Sequence, residues 1–308
     1  MELNGRTTLQ LPEGTQPLQI NWRYATVLTA VHLLAALAFL PRYFSWLGVA
    51  CLAVGYLLFG MFGITIGYHR LLTHKSFRCP KAVEYTLAVL GICCLQESPT
   101  RWVAIHRLHH RHADRQPDPH SPLARAIWGY AGWLFVINRD HWCFANYTRQ
   151  ARDLMRQPFY AFVEKYLIAL WIYILHSMLF FAFGWTVGWY TSNDSTEALR
   201  MGMSVLIWGV FARTVLILHV VWSVNAFGHL CGYRNYETAD NSKNHWLLAA
   251  LSYGDGWHNN HHASQRCAAH GHKAWEVDIS YIAICLLERL HLAYDVVHPV
   301  TLGDSESY

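Results

Sequence analysis

The chain is short of charge. Asp, Glu, Lys and Arg make up only 14% of its 308 residues, against roughly 25% in an ordinary soluble domain. Hydrophobic residues make up 53% and aromatics 15%, which disfavours a soluble globular enzyme and favours a chain with much of its surface in lipid. The net charge is only +4, and no basic stretch is interleaved with aromatics, so nothing marks a nucleic-acid surface. The eight cysteines include no CxxC pair. That excludes a zinc ribbon and argues against a disulfide framework; the thiols read as reduced, facing the cytosol or buried in apolar helices. Residues 1–24 lack the basic start and apolar core of a signal peptide. No pair of ExxH motifs is present, which excludes the soluble carboxylate di-iron bundle. Internal repeats and low-complexity linkers are also missing, so residues 1–308 read as a single domain.

What the chain does have is long apolar runs. A membrane span needs about 20 predominantly apolar residues. Four stretches qualify: 24–40, 46–68, 166–190 and 202–224. A tight connection joins the first pair, which predicts an antiparallel hairpin, and the third and fourth stretches are expected to form a second. The run at 82–95 is too short to cross and reads as a helix lying in or dipping into the interface. The segments 69–165 and 225–308 then form a helical cap. Lysine and arginine are uneven: 14 of the 24 lie in 69–165 and five in 225–308. Positive residues collect on the cytoplasmic side, so both termini and the cap are expected there.

Histidine is the polar residue in surplus, with 20 copies. "HRLHH" (106–110) returns as "HNNHH" (258–262). At this histidine content a random chain would hold HxxHH only about 0.1 times. Positions i, i+3 and i+4 share a helix face, so each box is expected to aim three rings at one point. "HRLLTH" supplies His69 and His74 directly after the second span, and "NAFGH" supplies Asn225 and His229 after the fourth. Five residues advance an α-helix by about 140° net. A helix end or bend is therefore expected between His69 and His74, which could then serve different metals. Imidazole suits Zn, Cu, Fe and Ni, and so many clustered rings exceed one tetrahedral site. His32, His176, His219, His245 and His291 lie outside these patterns and read as ordinary core or surface residues.

The order HxxxxH, HxxHH, HxxHH, with spans between, resembles the membrane fatty-acyl desaturases of the stearoyl-CoA and bacterial or cyanobacterial delta-9 type. "GITIGYHRLLTHKSF", "HRLHHRHADRQPDPHS", "NAFGH", "GDGWHNNHHA" and "GHKAWEVDIS" carry the likeness over roughly 25–300. It implies an all-α integral membrane protein that is an oxygen-dependent oxidoreductase. Two irons would be held by His69, His74, His106, His109, His110, His229, His258, His261 and His262, with Asn225 reaching one of them through water. Dioxygen is the implied co-substrate, and a cis double bond, at the delta-9 position, the implied product. Asp114, Asp118 and Asp255 are placed to orient the rings, although Asp118 also reads as a turn cap in "PDPHSP". Gln96 and Trp102 match positions lining the acyl tunnel, and Leu57 and Met61 match positions closing its far end; ordinary helix packing is the competing reading for all four.

Animal acyl-CoA relatives carry an Arg-Asp pair where this chain has Ala104 and Ile105. The acyl carrier, CoA or membrane lipid, therefore stays open. His298 sits in "HPV" and not in a haem-binding HPGG. Electrons are thus expected from a separate ferredoxin, rubredoxin or cytochrome b5 type protein. The location implied is a bacterial inner membrane. A related hydroxylase or acetylenase is the nearest alternative. A non-catalytic metal-binding membrane protein is the remoter one, since the motif histidines lie outside the spans.

Overall fold

The computed structural model describes residues 9–165 and 167–299. Tyr166, where the third apolar stretch begins, lies outside the described residues. Four helices are long and apolar enough to cross a membrane: α1 (Trp22–Phe39), α2 (Trp46–Thr73), α5 (Ile168–Ser192) and α6 (Ser195–Leu230). Between the two hairpins lie α3 (Lys81–Ile92) and α4 (Pro99–His112), and after them α7 (His258–Ala263) and α8 (Ile279–Arg289). Among the described residues there are no strands, only isolated bridges such as Arg78 with Tyr294. The protein is an all-helical membrane protein.

Local chemistry sets the breaks. Ser45 starts α2 by accepting from the Gly48 amide at 3.0 Å. Ser98 does the same for α4 from the Arg101 amide at 3.3 Å, with Pro99 at the first helical position, where no amide hydrogen is needed. Asn193 ends α5 in the left-handed region at φ 50°, and Asp194 caps α6 by accepting from the Thr196 amide at 2.6 Å. One exposed two-residue turn thus closes the second hairpin.

The outward face of α5 carries Trp171, Leu175, Met178, Leu179 and Phe183, all exposed. In water such a stripe would be an aggregation surface; in a bilayer it is the lipid face. α3 packs on α2 through backbone-to-backbone contact, and an ideal Cβ at Gly63 would fall 2.5 Å from the Gly91 nitrogen. Only glycine permits that approach. Helix α6 has 36 residues, roughly 50 Å at about 1.5 Å per residue. That outruns a hydrocarbon core of about 30 Å. Its last turns therefore rise out of the apolar layer and carry Asn225 and His229 into the cap.

Winding corrects one expectation. α2 neither ends nor bends between His69 and Thr73. From Tyr56 to Thr73 it is wound as a π-helix, and the His74 amide donates to the His69 carbonyl at 3.1 Å, five residues back. The wider turn stacks residues five apart, so His69 and His74 face the same way, their ring centroids 4.9 Å apart.

Candidate metal centre and apolar cavity

The nine histidines of the boxes and of the α6 end gather into two adjoining groups. His69, His74, His106, His110 and His261 form one; His109, His229, His258 and His262 form the other, with ring nitrogens in each group within 4.8 Å of one another. The expectation that each HxxHH aims at one point is wrong. His106 and His110 turn to the five-ring group while His109 turns to the other, and His258 and His262 part from His261 in the same way. The reason is angular. Residues four apart differ by about 40° around a helix, but neighbours differ by about 100°. An i, i+4 pair therefore shares a target, and the residue between is sent to the next one. His69 and His74 belong to one group, not to two.

The separations suit metal ligation. His69 and His261 present Nε2 atoms 3.1 Å apart, His110 and His261 3.0 Å, His106 and His110 3.0 Å, and His229 and His258 3.0 Å. Two nitrogens bound about 2.1 Å from one ion at about 90° lie roughly 3.0 Å apart. His74 Nε2 and His262 Nε2 are buried with no hydrogen-bond partner, a costly state unless something else takes the lone pair. The donor set therefore fits two metal ions. Burial pushes His74, His106, His110, His258 and His261 well below the ordinary imidazole range, and neighbouring histidines add to this. Those rings are neutral at pH 7, with lone pairs free.

Four carboxylates hold the other ring nitrogens. His109 Nδ1 donates to Asp118 at 3.0 Å, His229 Nδ1 to Asp114 at 2.8 Å, and His262 Nδ1 to Asp240 at 2.8 Å; His69 Nδ1 lies 3.3 Å from Asp255. An N–H fixed at Nδ1 leaves Nε2 as the lone-pair atom. Burial alone would raise these acids, but their histidine partners hold Asp114, Asp118, Asp240 and Asp255 below the ordinary carboxylate range. Asp118 also accepts from the Asp114 and His120 amides, so it is both a ring partner and a turn cap.

Asp240 escaped the sequence reading. It lies in a loop 22 residues before its ring, with no pattern to mark it. The asparagines of "HNNHH" were passed over as well. Asn259 Oδ1 accepts from the Asn235 and Tyr236 amides at 2.8 Å, and Asn260 Nδ2 donates to Glu276 at 2.7 Å and to the His270 carbonyl at 2.8 Å. They tie α7 to the loops behind it, so that its histidines face the other way. Their signal was the pair of small amides at the i+1 and i+2 positions of a histidine box. His270 was missed too: it lies 3.2 Å from Asp255, beside His69.

An expected outcome follows for Asp240. Changing it to Asn leaves His262 without its anionic partner, and metal affinity should fall about 10- to 100-fold. Competition with a chelator during metal titration measures this; unchanged affinity would mean that Asp240 serves only the loop.

The groups border an apolar cavity of two lobes that meet at Trp102, His106, Val221 and Asn225. The Trp102 ring stacks on His106 with centroids 4.7 Å apart. Gln96 lies in the wall of the outer lobe, toward Tyr24, Trp142 and Tyr147. Asn225 stands one turn before His229 and lines both lobes. The inner lobe ends at Tyr56, Gly60, Ile217 and Tyr253. Leu57 and Met61, expected at the far end, are not among the residues that line this lobe. Leu57 is 49% exposed on the outer face, and Met61 is packed in the core without lining the cavity. The residues one step earlier, Tyr56 and Gly60, line it instead.

The profile of the family described as "Fatty acid desaturase" matches residues 44–277. The sn-1 stearoyl-lipid 9-desaturase of Anabaena variabilis is 39% identical over 94% of this chain and 97% of its own length. The sn-2 palmitoyl-lipid 9-desaturase of Nostoc sp. (strain 36) is 37% identical, with 93% of each chain covered. An acyl-CoA C20 Delta5-desaturase of Anemone leveillei is 38% identical over 85% of this chain and 77% of its own.

Proposed function

The chain belongs to the fatty acid desaturase family, and from that premise we propose that it places a cis double bond, at the delta-9 position, in an acyl chain carried by a membrane glycerolipid. Two irons held by the nine histidines, with Asn225 reaching one through water, complete the reading. The observation that carries it is the meeting of the two lobes at His106 and Trp102, against the five-ring group. The residues 1–308 act as one domain, its cap and both termini on the cytoplasmic side of a bacterial inner membrane. A separate ferredoxin, rubredoxin or cytochrome b5 type protein supplies electrons.

The overall change balances as –CH2–CH2– + O2 + 2e− + 2H+ → –CH=CH– + 2H2O. Methylene hydrogens are not acidic, so acid–base groups cannot begin it; irons held by the histidines would supply the oxidising power toward dioxygen. The protein's own part is positional. Trp102 and Val221 press the chain where the lobes meet, so that a short run of methylenes faces the histidines. The apolar walls keep water from that point. The carboxylates at Nδ1 keep the rings in the right tautomer. Ala104 is buried and Ile105 lines the outer lobe. Neither offers charge to a CoA head, which supports a lipid carrier, as do the lipid-directed activities of the Anabaena and Nostoc relatives.

The test is product analysis with purified protein, iron, reductant, electron donor and oxygen, on diacyl glycerolipid and on acyl-CoA in parallel. An oxygen-dependent double bond in the lipid is expected; none on either substrate would sink the reading. Metal content should be about two ions per chain. Stripping iron by chelation should stop turnover, and iron alone should restore it. Zinc should refill the sites without activity, because it has no redox chemistry. Full activity at one ion per chain would defeat the two-metal arrangement.

A further inference from the structure

A second cavity opens beside the first. It is bounded by Val27 on α1, Ile92 on α3, Val163, and Ala169 and Leu170 on α5, and it encloses about 320 Å³. It shares Tyr24, Leu28, Leu95, Glu97 and Arg101 with the outer lobe of the acyl cavity. The whole is therefore a fork. One branch runs past Gln96 and Trp102 to the histidines. The other runs between α1 and the start of α5, among residues of two membrane helices.

The shared wall carries Glu97 and Arg101 among Tyr24, Leu28 and Leu95, and Arg23, Ser98 and Glu164 line the second branch beside it. Arg101 Nε donates to Glu164 at 3.1 Å, and its guanidinium lies 3.6 Å from Glu97; Ser98 donates to Glu164 as well. Two non-glycine residues in the left-handed region, Leu95 at φ 57° and Glu97 at φ 71°, bracket Gln96 at this point. Such backbone costs of order 1–3 kcal/mol per residue and persists where the surroundings demand it. Gln96 Nε2 is buried without a partner at the wall of the reactive branch.

Two apolar branches joined at a wall that carries Glu97 and Arg101 match one kind of molecule: a diacyl glycerolipid, with two chains leaving one polar glycerol ester region. A single-chain thioester would fill one branch and leave the other apolar walls uncovered. We infer that the reactive acyl chain occupies the branch leading to the histidines while the other chain of the same lipid lies in the branch between α1 and α5, with the ester groups at Glu97, Ser98, Arg101 and Glu164. This rests on the reading that the acyl carrier is a membrane lipid, and it deepens that reading by giving the second chain a seat. The competing occupant is none: the branch would be a passage through which a chain slides and which then stands clear.

The experiment uses the full chain, reconstituted in diacyl glycerolipid vesicles. Product analysis of the wild type first settles the carrier: desaturated vesicle lipid supports it, and turnover on acyl-CoA alone removes both the carrier reading and this one. A diacyl lipid bearing a diazirine midway along the non-reactive chain is then photolysed on the metal-loaded wild type, and the labelled peptides are mapped. Label on 23–28 and 163–170 is expected. Label confined to the outer face of α5 or α2 overturns the inference, because the second chain then stays in the bilayer. A single-chain probe with its diazirine in the acyl tail should label the inner branch, near 217–225, and not 163–170; equal labelling of 163–170 by that probe would make the branch a passage and overturn the seat. Ala169→Trp and Val27→Trp, each filling the branch, should lower labelling of 163–170 by the diacyl probe about tenfold. Undiminished labelling in both, with metal content unchanged, also counts against it.

Discussion

Alanine at His261 leaves the protein in the membrane and removes desaturation. His261 Nε2 lies 3.1 Å from His69 Nε2 and 3.0 Å from His110 Nε2, so this ring links the end of the second span, α4 and α7 in the five-ring group. No neighbouring side chain can reach its place, since the adjacent histidines already point at one group or the other. The loss should exceed the roughly 100-fold seen when an outer partner of a ligand is removed, and metal content should fall with it. The spans do not depend on this ring, so membrane extraction and yield should hold. Alanine at His291, exposed and outside both groups, is the matched control and should alter neither quantity. A His261→Ala protein with near-normal turnover and two ions per chain would overturn the ligand assignment.

Chain length should answer to the residues that end the inner lobe. An ideal Cβ at Gly60 would lie 2.8 Å from the Tyr253 hydroxyl and 3.4 Å from Ile217 Cγ1. Gly60→Val therefore fills the end of the lobe and should exclude the last methylenes of the longest substrates. Each buried methylene is worth about 0.8 kcal/mol. Losing two amounts to about 1.6 kcal/mol, roughly a 15-fold change in preference toward shorter chains. Ile217→Ala should move the preference toward longer ones. Met61→Ala should leave the length profile alone, because Met61 packs in the core and not in the cavity. The measurement is product yield across acyl chains of graded length. A shift with Met61→Ala and none with Gly60→Val would favour the far-end positions implied by the family resemblance. In every variant the double bond should keep its distance from the carboxyl end, because the histidines have not moved.

The difference between Gly60 and Met61 shows where sequence stops being informative. The four apolar stretches, the hairpins and the histidines stand out from composition and spacing, because a bilayer and a metal each impose a simple requirement. Which ring serves which group did not stand out. That depends on where the tips of α4 and α7 point once the two helices face one another, a property of tertiary placement. Asp114, Asp118 and Asp255 lie within a few residues of a box and were easy to suspect. Asp240 reaches His262 from a loop with no local pattern and was not. Tyr56 and Gly60 were not among the positions that the family resemblance singled out, and nothing in their residue types marks them as lining a cavity.

The wide winding of α2 makes the first histidine box a gauge of backbone geometry. With an ordinary i→i+4 turn, two rings on one helix share a target when three residues separate them. With the i→i+5 turn that joins His74 to His69, they share it when four do. Box spacing and helical winding are then one heritable trait expressed twice. Deleting a single residue between His69 and His74 would swing His74 away by about a quarter of a revolution, unless the turn also tightened to normal pitch. A chain that lost the residue and tightened the turn together would keep both rings on target. If the tightening spread back through the wide-wound stretch to Tyr56, it would also rotate the upstream positions of α2, Gly60 among them, relative to the cavity they now border. Insertions and deletions here would thus couple the metal end of the helix to its lipid end, linking chemistry to chain-length choice through the thread of one screw.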